Sequence, residues 1–67
     1  RLVLAALDQI DLDRRAVFVL HEIDGFTCEE AARTLEIPLG TVYSRLRLAR
    51  EDFSAAIRRL QARRAPG

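Results

Sequence analysis

The sequence predicts an all-α fold, a small three-to-four-helix bundle that contains a helix-turn-helix. Three observations lead to this prediction. Apolar residues recur at three- and four-residue spacing, polar residues suited to helix capping precede two of the apolar segments, and Gly25 and Pro38 fall between segments. The 67 residues suffice for one small domain. A chain this short buries only about 60% of the surface that its unfolded form exposes, so its core is marginal.

The first two helices are predicted from an apolar run and a capping residue. Residues 2–9 are strong helix formers, and Asp11 can cap a second helix that extends to about Ile23. Asp13 then lies in the first turn, where the helix dipole favours a negative charge. Gly25 suits the left-handed residue that ends a helix. The apolar stripe of this second helix is expected to comprise Leu12, Ala16, Val17, Leu20 and Ile23, with Phe18 and Val19 off the stripe.

An apolar surface that covers more than half the girth of the second helix has two explanations. The helix either lies at the centre of the core or meets a partner with part of its surface. The sequence leaves both explanations open.

The third helix has a strong local start signal. Thr27 followed three residues later by Glu30 is a capping box. Pro38 cannot lie in a helix interior, so the third helix should end before it and the last helix should start near Leu39. The inward-facing residues of the third helix are expected to be Ala31, Ala32 and Leu35.

The last helix has the most regular pattern. Residues 39–64 would span about 40 Å as one helix. Its apolar residues follow one another at steps of three and four: Val42, Leu46, Ala49, Phe53, Ile57 and Leu60. Opposite the front of that stripe lie Thr41, Tyr43, Ser44, Arg47 and Arg50, with Leu48 at the edge. We expect the front of this helix to bind a ligand and its back to pack, and the tail 65–67 to fray.

Charge is distributed unevenly although the formal net charge is only +1. Residues 1–40 contain four arginines and eight acidic residues, a balance of −4, whereas residues 41–67 contain seven arginines and two acidic residues, a balance of +5. A basic element on a mildly acidic body is typical of nucleic-acid binding. Lysine is absent, so arginine could simply be the default cation, but that would not explain its concentration at one end.

Neither catalysis nor metal binding is indicated. Cys28 and His21 are the only cysteine and histidine, and zinc needs about four ligands. We expect no enzyme activity, no cofactor and no metal, and we interpret both residues as ordinary helix residues. A lone cysteine cannot form an internal disulfide, which favours a cytoplasmic setting. No apolar run approaches the ~20 residues that cross a bilayer, so no membrane contact is expected.

The segment DGFTCEEAARTLEIPLGTVYSRLRLARE, residues 24–51, resembles region 4, the C-terminal promoter-recognition domain of extracytoplasmic-function (ECF) sigma factors of bacterial RNA polymerase. The upstream helices are similar as well, so the likeness covers nearly the whole chain. Tyr43 and Leu48 depart from the pattern, because both positions are commonly basic in the family. The matching residues are Asp24, Gly25, Thr27, Glu29, Glu30, Ala31, Ala32, Gly40, Thr41, Val42, Ser44, Arg45, Ala49 and Arg50.

The resemblance implies a function and a set of partners. Residues 1–67 would be a single promoter-recognition domain, a fragment of a longer protein, that binds the −35 element of promoter DNA. The domain would also dock on the β-subunit flap of the RNA polymerase core. An anti-sigma factor often masks such surfaces.

The resemblance also implies which residues contact DNA. Tyr43, Ser44 and Arg47 are expected at base edges, with Leu48 near them. Thr27, Thr41 and Arg50 are expected at phosphates, since phosphate contacts fix the register of a protein on DNA. Gly40 either marks a turn or lets a phosphate approach the helix N-terminus.

We expect other roles for the remaining arginines of the last helix. Arg45 either touches a phosphate or pairs with Glu30 on the facing helix, and we favour the pair. The side chains expected to be simply solvated are those of Arg58, Arg59, Arg63 and Arg64.

Two other classes of protein remain compatible with the sequence. One is a helix-turn-helix output domain of another transcription regulator, such as a two-component response regulator. The other is a protein-interaction module, bound for example by an anti-sigma factor, in which the second helix binds a protein and the DNA face is vestigial. The sequence upstream of Arg1 would distinguish the first, and low affinity for any DNA would support the second.

Overall fold

The computed structural model describes residues 1–64 as a bundle of helices. No strand occurs in this described range, so the predicted all-α fold is confirmed. Residues 65–67, where we expected a frayed tail, lie outside it. The helices are α1 (Leu2–Asp8), α2 (Leu12–Phe18), a π-helical segment that continues α2 (Val19–Ile23), α3 (Cys28–Leu35) and α4 (Leu39–Arg64).

Helix α1 packs its buried residues Ala6 and Leu7 towards α4. A hydrogen-bonded contact connects the two elements as well, because Arg59 donates from Nε and Nη2 to Oε1 of Gln9, at 3.2 and 2.6 Å. Arg59 is exposed, as expected for a solvated side chain, but its contact with Gln9 was not predicted. Arg58 and Arg63 are exposed, as expected.

Helix α2 begins as predicted but buries a different face. The Asp11 carboxylate accepts a hydrogen bond from the Asp13 N–H at 3.3 Å, which confirms the cap. Val17 and Phe18 are buried, whereas Leu12 is 69% exposed. The predicted stripe was thus wrong at Leu12 and at Phe18, because α2 buries Val17 and Phe18 in the core that it forms with α4.

The π segment explains a second departure from the predicted stripe. The Asp24 N–H donates to the Val19 carbonyl at 2.9 Å, a bond across five residues instead of four. Each extra residue in a helical turn rotates the residues after it by about 100°. Ile23, predicted to face inward, is accordingly 53% exposed.

The turn after the π segment is stabilised by backbone and side-chain bonds. Gly25 has a φ of 82°, the left-handed conformation predicted for it. His21 Nδ1 lies 2.7 Å from the Phe26 carbonyl oxygen, a contact in which Nδ1 carries the proton and donates. His21 therefore closes this turn and does more than an ordinary helix residue.

The core forms where α4 meets the other helices. The predicted α4 stripe is confirmed in its front half, and Ala56 is a further buried residue that was not predicted. Phe53 packs at the edge of the cluster. Arg14 of α2 donates to Asp52 of α4 at 2.7 Å, and this bond raises the pKa of Arg14 above its ordinary value. The cluster comprises Leu7, Ile10, Val17, Phe18, Ala31, Val42, Leu46 and Ala49.

Candidate nucleic-acid interface

Helix α3 starts with the predicted capping box. Thr27 Oγ1 accepts a hydrogen bond from the Glu30 N–H at 3.0 Å, and Glu30 Oε1 accepts one from the Thr27 N–H at 2.8 Å. The backbone and side-chain hydrogen bonds with Thr27 hold the pKa of Glu30 below its usual value. Both residues are exposed, so this end of α3 faces solvent.

A tight turn separates α3 from α4. The Ile37 N–H donates to the Ala32 carbonyl and the Glu36 N–H to the Arg33 carbonyl, the pair of bonds that defines a Schellman motif. Glu36 occupies its left-handed position, with a φ of 58°. The Pro38 carbonyl then accepts from the N–H groups of Thr41 and Val42, at 3.0 and 3.2 Å, and α4 starts at Leu39 as predicted.

Small residues set how closely α3 and α4 approach. Ala31 and Val42 are both fully buried where the helices pack. Ala32 and Leu35 pack against the same cluster. The predicted inward face of α3 is therefore confirmed, and α3, the turn and α4 form a helix-turn-helix.

The front of α4 presents polar side chains to solvent. Tyr43 is 53% exposed, and Ser44 and Arg47 are exposed beside it. Thr41 and Leu48 are half-buried, which places both at the edge of this face. We call the surface formed by residues 40–50 outside the core the α4 front face.

Gly40 lies at the start of that face with open space around it. A Cβ atom at this position would have no atom within 4 Å, and Gly40 does not have a positive φ. Neither packing nor backbone conformation therefore requires glycine here. The open space is compatible with the close approach of a ligand to the first turn of α4.

Arg45 does not make the contact that we favoured for it. Glu30 turns back to the Thr27 amide, and among the described residues no ion pair joins Glu30 to Arg45. The predicted structural pair was therefore wrong, and the Glu30 carboxylate instead accepts from the Thr27 N–H through Oε1. Arg45 itself is half-buried.

Two arginines of the front face have acidic neighbours. Arg47 Nη1 lies 3.4 Å from Glu51 Oε2, one turn along the same helix. Arg50 contacts Glu22 of the π segment, where Glu22 Oε2 accepts from Nε at 2.6 Å and lies 2.5 Å from Nη2. The role of Glu22 was not predicted. No sequence signal marks it, since 28 residues separate the partners.

An apolar groove lies on another side of the domain. It has a volume of about 360 Å³ and is open to solvent. None of its lining residues comes from α4, so the groove and the α4 front face are formed by different residues. The lining residues are Leu12, Arg15, Ala16, Val19, Leu20, Thr34 and Leu35.

We also searched the described residues for a metal site, a membrane-spanning helix and a reactive cysteine. No group of three or more His, Cys, Asp or Glu side chains in residues 1–64 could hold a metal ion. Over the same range, none of the helices is long and apolar enough to cross a bilayer. Cys28 is a free, half-buried residue in the first turn of α3, as we expected.

The fold and the exposed α4 front face define a helix-turn-helix domain. The family described as "Sigma-70, region 4" matches residues 1–53, and the chain belongs to this family. The family membership predicted from residues 24–51 is thereby confirmed.

Curated relatives of this chain are named as ECF RNA polymerase sigma factors. The chain is 45% identical over 49 residues to an ECF RNA polymerase sigma factor SigE of Mycolicibacterium smegmatis, covering 73% of this chain and 19% of that protein. It is 33% identical over 60 residues to ECF RNA polymerase sigma-E factors of Escherichia coli K12 and Salmonella typhimurium, covering 90% of this chain and 31% of each relative. The chain thus spans less than a third of their length. No solved structure matches it.

Proposed function

We propose that this chain is the promoter-recognition domain of an ECF sigma factor, which binds the −35 element and acts with RNA polymerase in transcription initiation. The observation that carries the proposal is the exposed front face of α4 within a helix-turn-helix of the region 4 family. The domain acts by binding and needs no catalytic residue. Its place of action is the cytoplasm, where the polymerase works.

The α4 front face inserts its N-terminal part into the major groove, as the second helix of a helix-turn-helix does. Tyr43, Ser44 and Arg47 are exposed and contact base edges. Arginine can donate two hydrogen bonds to guanine, and serine can pair with several bases. Leu48 is half-buried at the edge of the face and offers apolar contact to a neighbouring base.

Phosphate contacts come from both helices of the motif. Thr27 keeps a hydroxyl proton that can be donated, because its Oγ1 is the acceptor in the capping box. Gly40 and Thr41 lie in the first turn of α4, where the helix dipole attracts anions. The Thr41 N–H already donates to the Pro38 carbonyl, so Thr41 contacts a phosphate through its hydroxyl. Arg50 and Arg45 supply positive charge, and Arg45 is included because Glu30 does not pair with it.

The apolar groove is the proposed docking site for the β-subunit flap of RNA polymerase. Its lining is almost entirely apolar, and Leu12 at its rim is 69% exposed. An exposed apolar surface of this kind is typical of a protein-binding site. Because no lining residue of the groove comes from α4, the flap and the base edges of DNA would contact different residues. An anti-sigma factor would act by covering either surface.

The proposal is tested by two binding measurements on the chain. Selection from random DNA duplexes should return one preferred sequence, and Arg47→Ala should relax it at one position. Leu12→Glu should abolish binding to a purified β-flap domain and leave DNA binding unchanged. Since Leu12 is exposed, this substitution should not unfold the domain.

Two results would contradict the proposal. Failure to bind any duplex at low salt would favour the interaction module. DNA binding together with no affinity for the flap would contradict the proposed role of the apolar groove.

A further inference from the structure

Glu22 connects the π segment to the α4 front face. Its Oε2 accepts a hydrogen bond from Arg50 Nε at 2.6 Å and lies 2.5 Å from Nη2 of the same guanidinium. Tyr43, Arg47 and Arg50 follow one another at steps of four and three residues, so they share one side of α4. A carboxylate is therefore held beside the surface that is proposed to meet phosphates.

We propose that Glu22 restrains DNA binding by neutralising Arg50, an inference that rests on the proposed function. A guanidinium in direct contact with a carboxylate attracts a phosphate less strongly than a free one does. A phosphate that approaches Arg50 is also repelled by Glu22. Arg50 consequently contributes less to DNA affinity than its position and charge suggest.

The restraint can be released by DNA because the ion pair lies at the surface. The side chain of Arg50 is 55% exposed and that of Glu22 is 33% exposed. Exposed ion pairs are weak, since water screens them and both side chains lose freedom on pairing. The phosphates of a bound duplex can therefore compete with Glu22 for Arg50.

The second ion pair of the front face provides an internal comparison. Arg47 and Glu51 are 3.4 Å apart, with side chains 67% and 65% exposed. This pair is longer and more exposed than the pair of Glu22 with Arg50. Glu51 should accordingly restrain Arg47 less than Glu22 restrains Arg50.

The test compares DNA affinity of the full chain and its variants over a range of salt concentrations. Glu22→Gln should raise affinity by up to about fivefold at low salt, the upper end of what the loss of an exposed ion pair produces. The slope of log affinity against log salt should steepen by up to about 0.9, the contribution of one phosphate contact. Glu51→Gln should give a smaller gain.

Asp8→Asn is the matched control for loss of one negative charge. Asp8 is exposed at the end of α1, and the adjacent Gln9 contacts Arg59. Arg59 lies about 13 Å further along α4 than Arg50. At 0.1 M salt, where charges are screened over about 10 Å, this control should change affinity far less than Glu22→Gln does.

The double variant identifies the cause of any gain. In an Arg50→Ala background, Glu22→Gln should no longer raise affinity. A gain that persists without Arg50 would overturn the proposed restraint, as would unchanged or weaker binding by Glu22→Gln while the wild type binds DNA. In those cases the proposed function stands. Absence of DNA binding by the wild type would overturn both proposals.

Discussion

Phe18 of α2 stacks on Phe53 of α4, with ring centroids 4.9 Å apart and ring planes at 27°. The contact joins the two helices behind the α4 front face, three residues beyond Arg50. Phe18 is buried and Phe53 is half-buried, so the stacked rings form one edge of the core. In a domain of this size, such a contact is a large share of the stability.

We expect Phe53→Ala to lower the free energy of unfolding by about 3 kcal/mol, because it leaves a cavity and removes the stacking on Phe18. Chemical denaturation measures this change. The control Ser54→Ala alters an exposed neighbour and should change stability by less than about 0.5 kcal/mol. Equal stability of Phe53→Ala and the wild type would mean that the stacked pair does not contribute to the core.

Glu36 holds the left-handed position of the turn between α3 and α4, where glycine is the usual residue. Glu36→Gly should therefore raise the free energy of unfolding by about 1 kcal/mol, since glycine adopts a positive φ without steric cost. Glu36→Ala removes the same charge but keeps a Cβ atom, and it should give no such gain. A gain that is equal in both variants would point to charge instead of backbone conformation.

The capping box should make stability depend on pH. Because the pKa of Glu30 is lowered in the folded state, its contribution is present above the ordinary value of 4.5 and is lost as the pH falls through the folded value. Glu30→Gln keeps an acceptor for the Thr27 N–H but cannot ionise.

The measurement for Glu30 is thermal unfolding across the pH range. The wild type should be more stable than Glu30→Gln at pH 7, and the difference should shrink as the pH falls below 4.5. Glu29→Gln changes a first-turn glutamate outside the capping box, so its difference from the wild type should depend less on pH. A constant difference for Glu30→Gln would argue against the lowered pKa.

Features that depend on a few neighbouring residues could be predicted from the sequence. The capping box of Thr27 and Glu30 is a four-residue pattern, and Pro38 limits where α4 can begin. The apolar stripe on α4 was also predictable at its front, because spacing alone determines which side of a regular helix is apolar.

Features that depend on the relative placement of distant residues could not be predicted from the sequence. Arg50 and Glu22 are 28 residues apart, and Arg59 and Gln9 are 50 apart, so only the packing of helices brings them together. The exposed position of Ile23 results from the π segment, which changes the helical phase without a proline or glycine to mark it.

The contacts of the α4 front face with base edges remain a prediction. Tyr43 and Leu48, which depart from the family pattern, provide the sharpest test of it. Tyr43 is 53% exposed on the α4 front face, where its ring and single hydroxyl cannot form the two hydrogen bonds that arginine makes with guanine. Tyr43 and Leu48 instead offer apolar surface that suits a thymine methyl group. We therefore expect this domain to prefer thymine at the base pairs where an arginine in place of Tyr43 or Leu48 would bind guanine, with looser specificity.

Tyr43→Arg should shift the preference at one base pair towards guanine, by about 1–3 kcal/mol. Arg47→Ala should instead relax specificity at a neighbouring base pair, because Arg47 lies one turn further along the same face. Binding-site selection with the wild type and both variants measures these changes. Arg63→Ala, which alters an exposed arginine near the far end of α4, is the control and should select the wild-type sequence. If Tyr43→Arg and Arg47→Ala also select that sequence with equal stringency, the α4 front face does not read DNA.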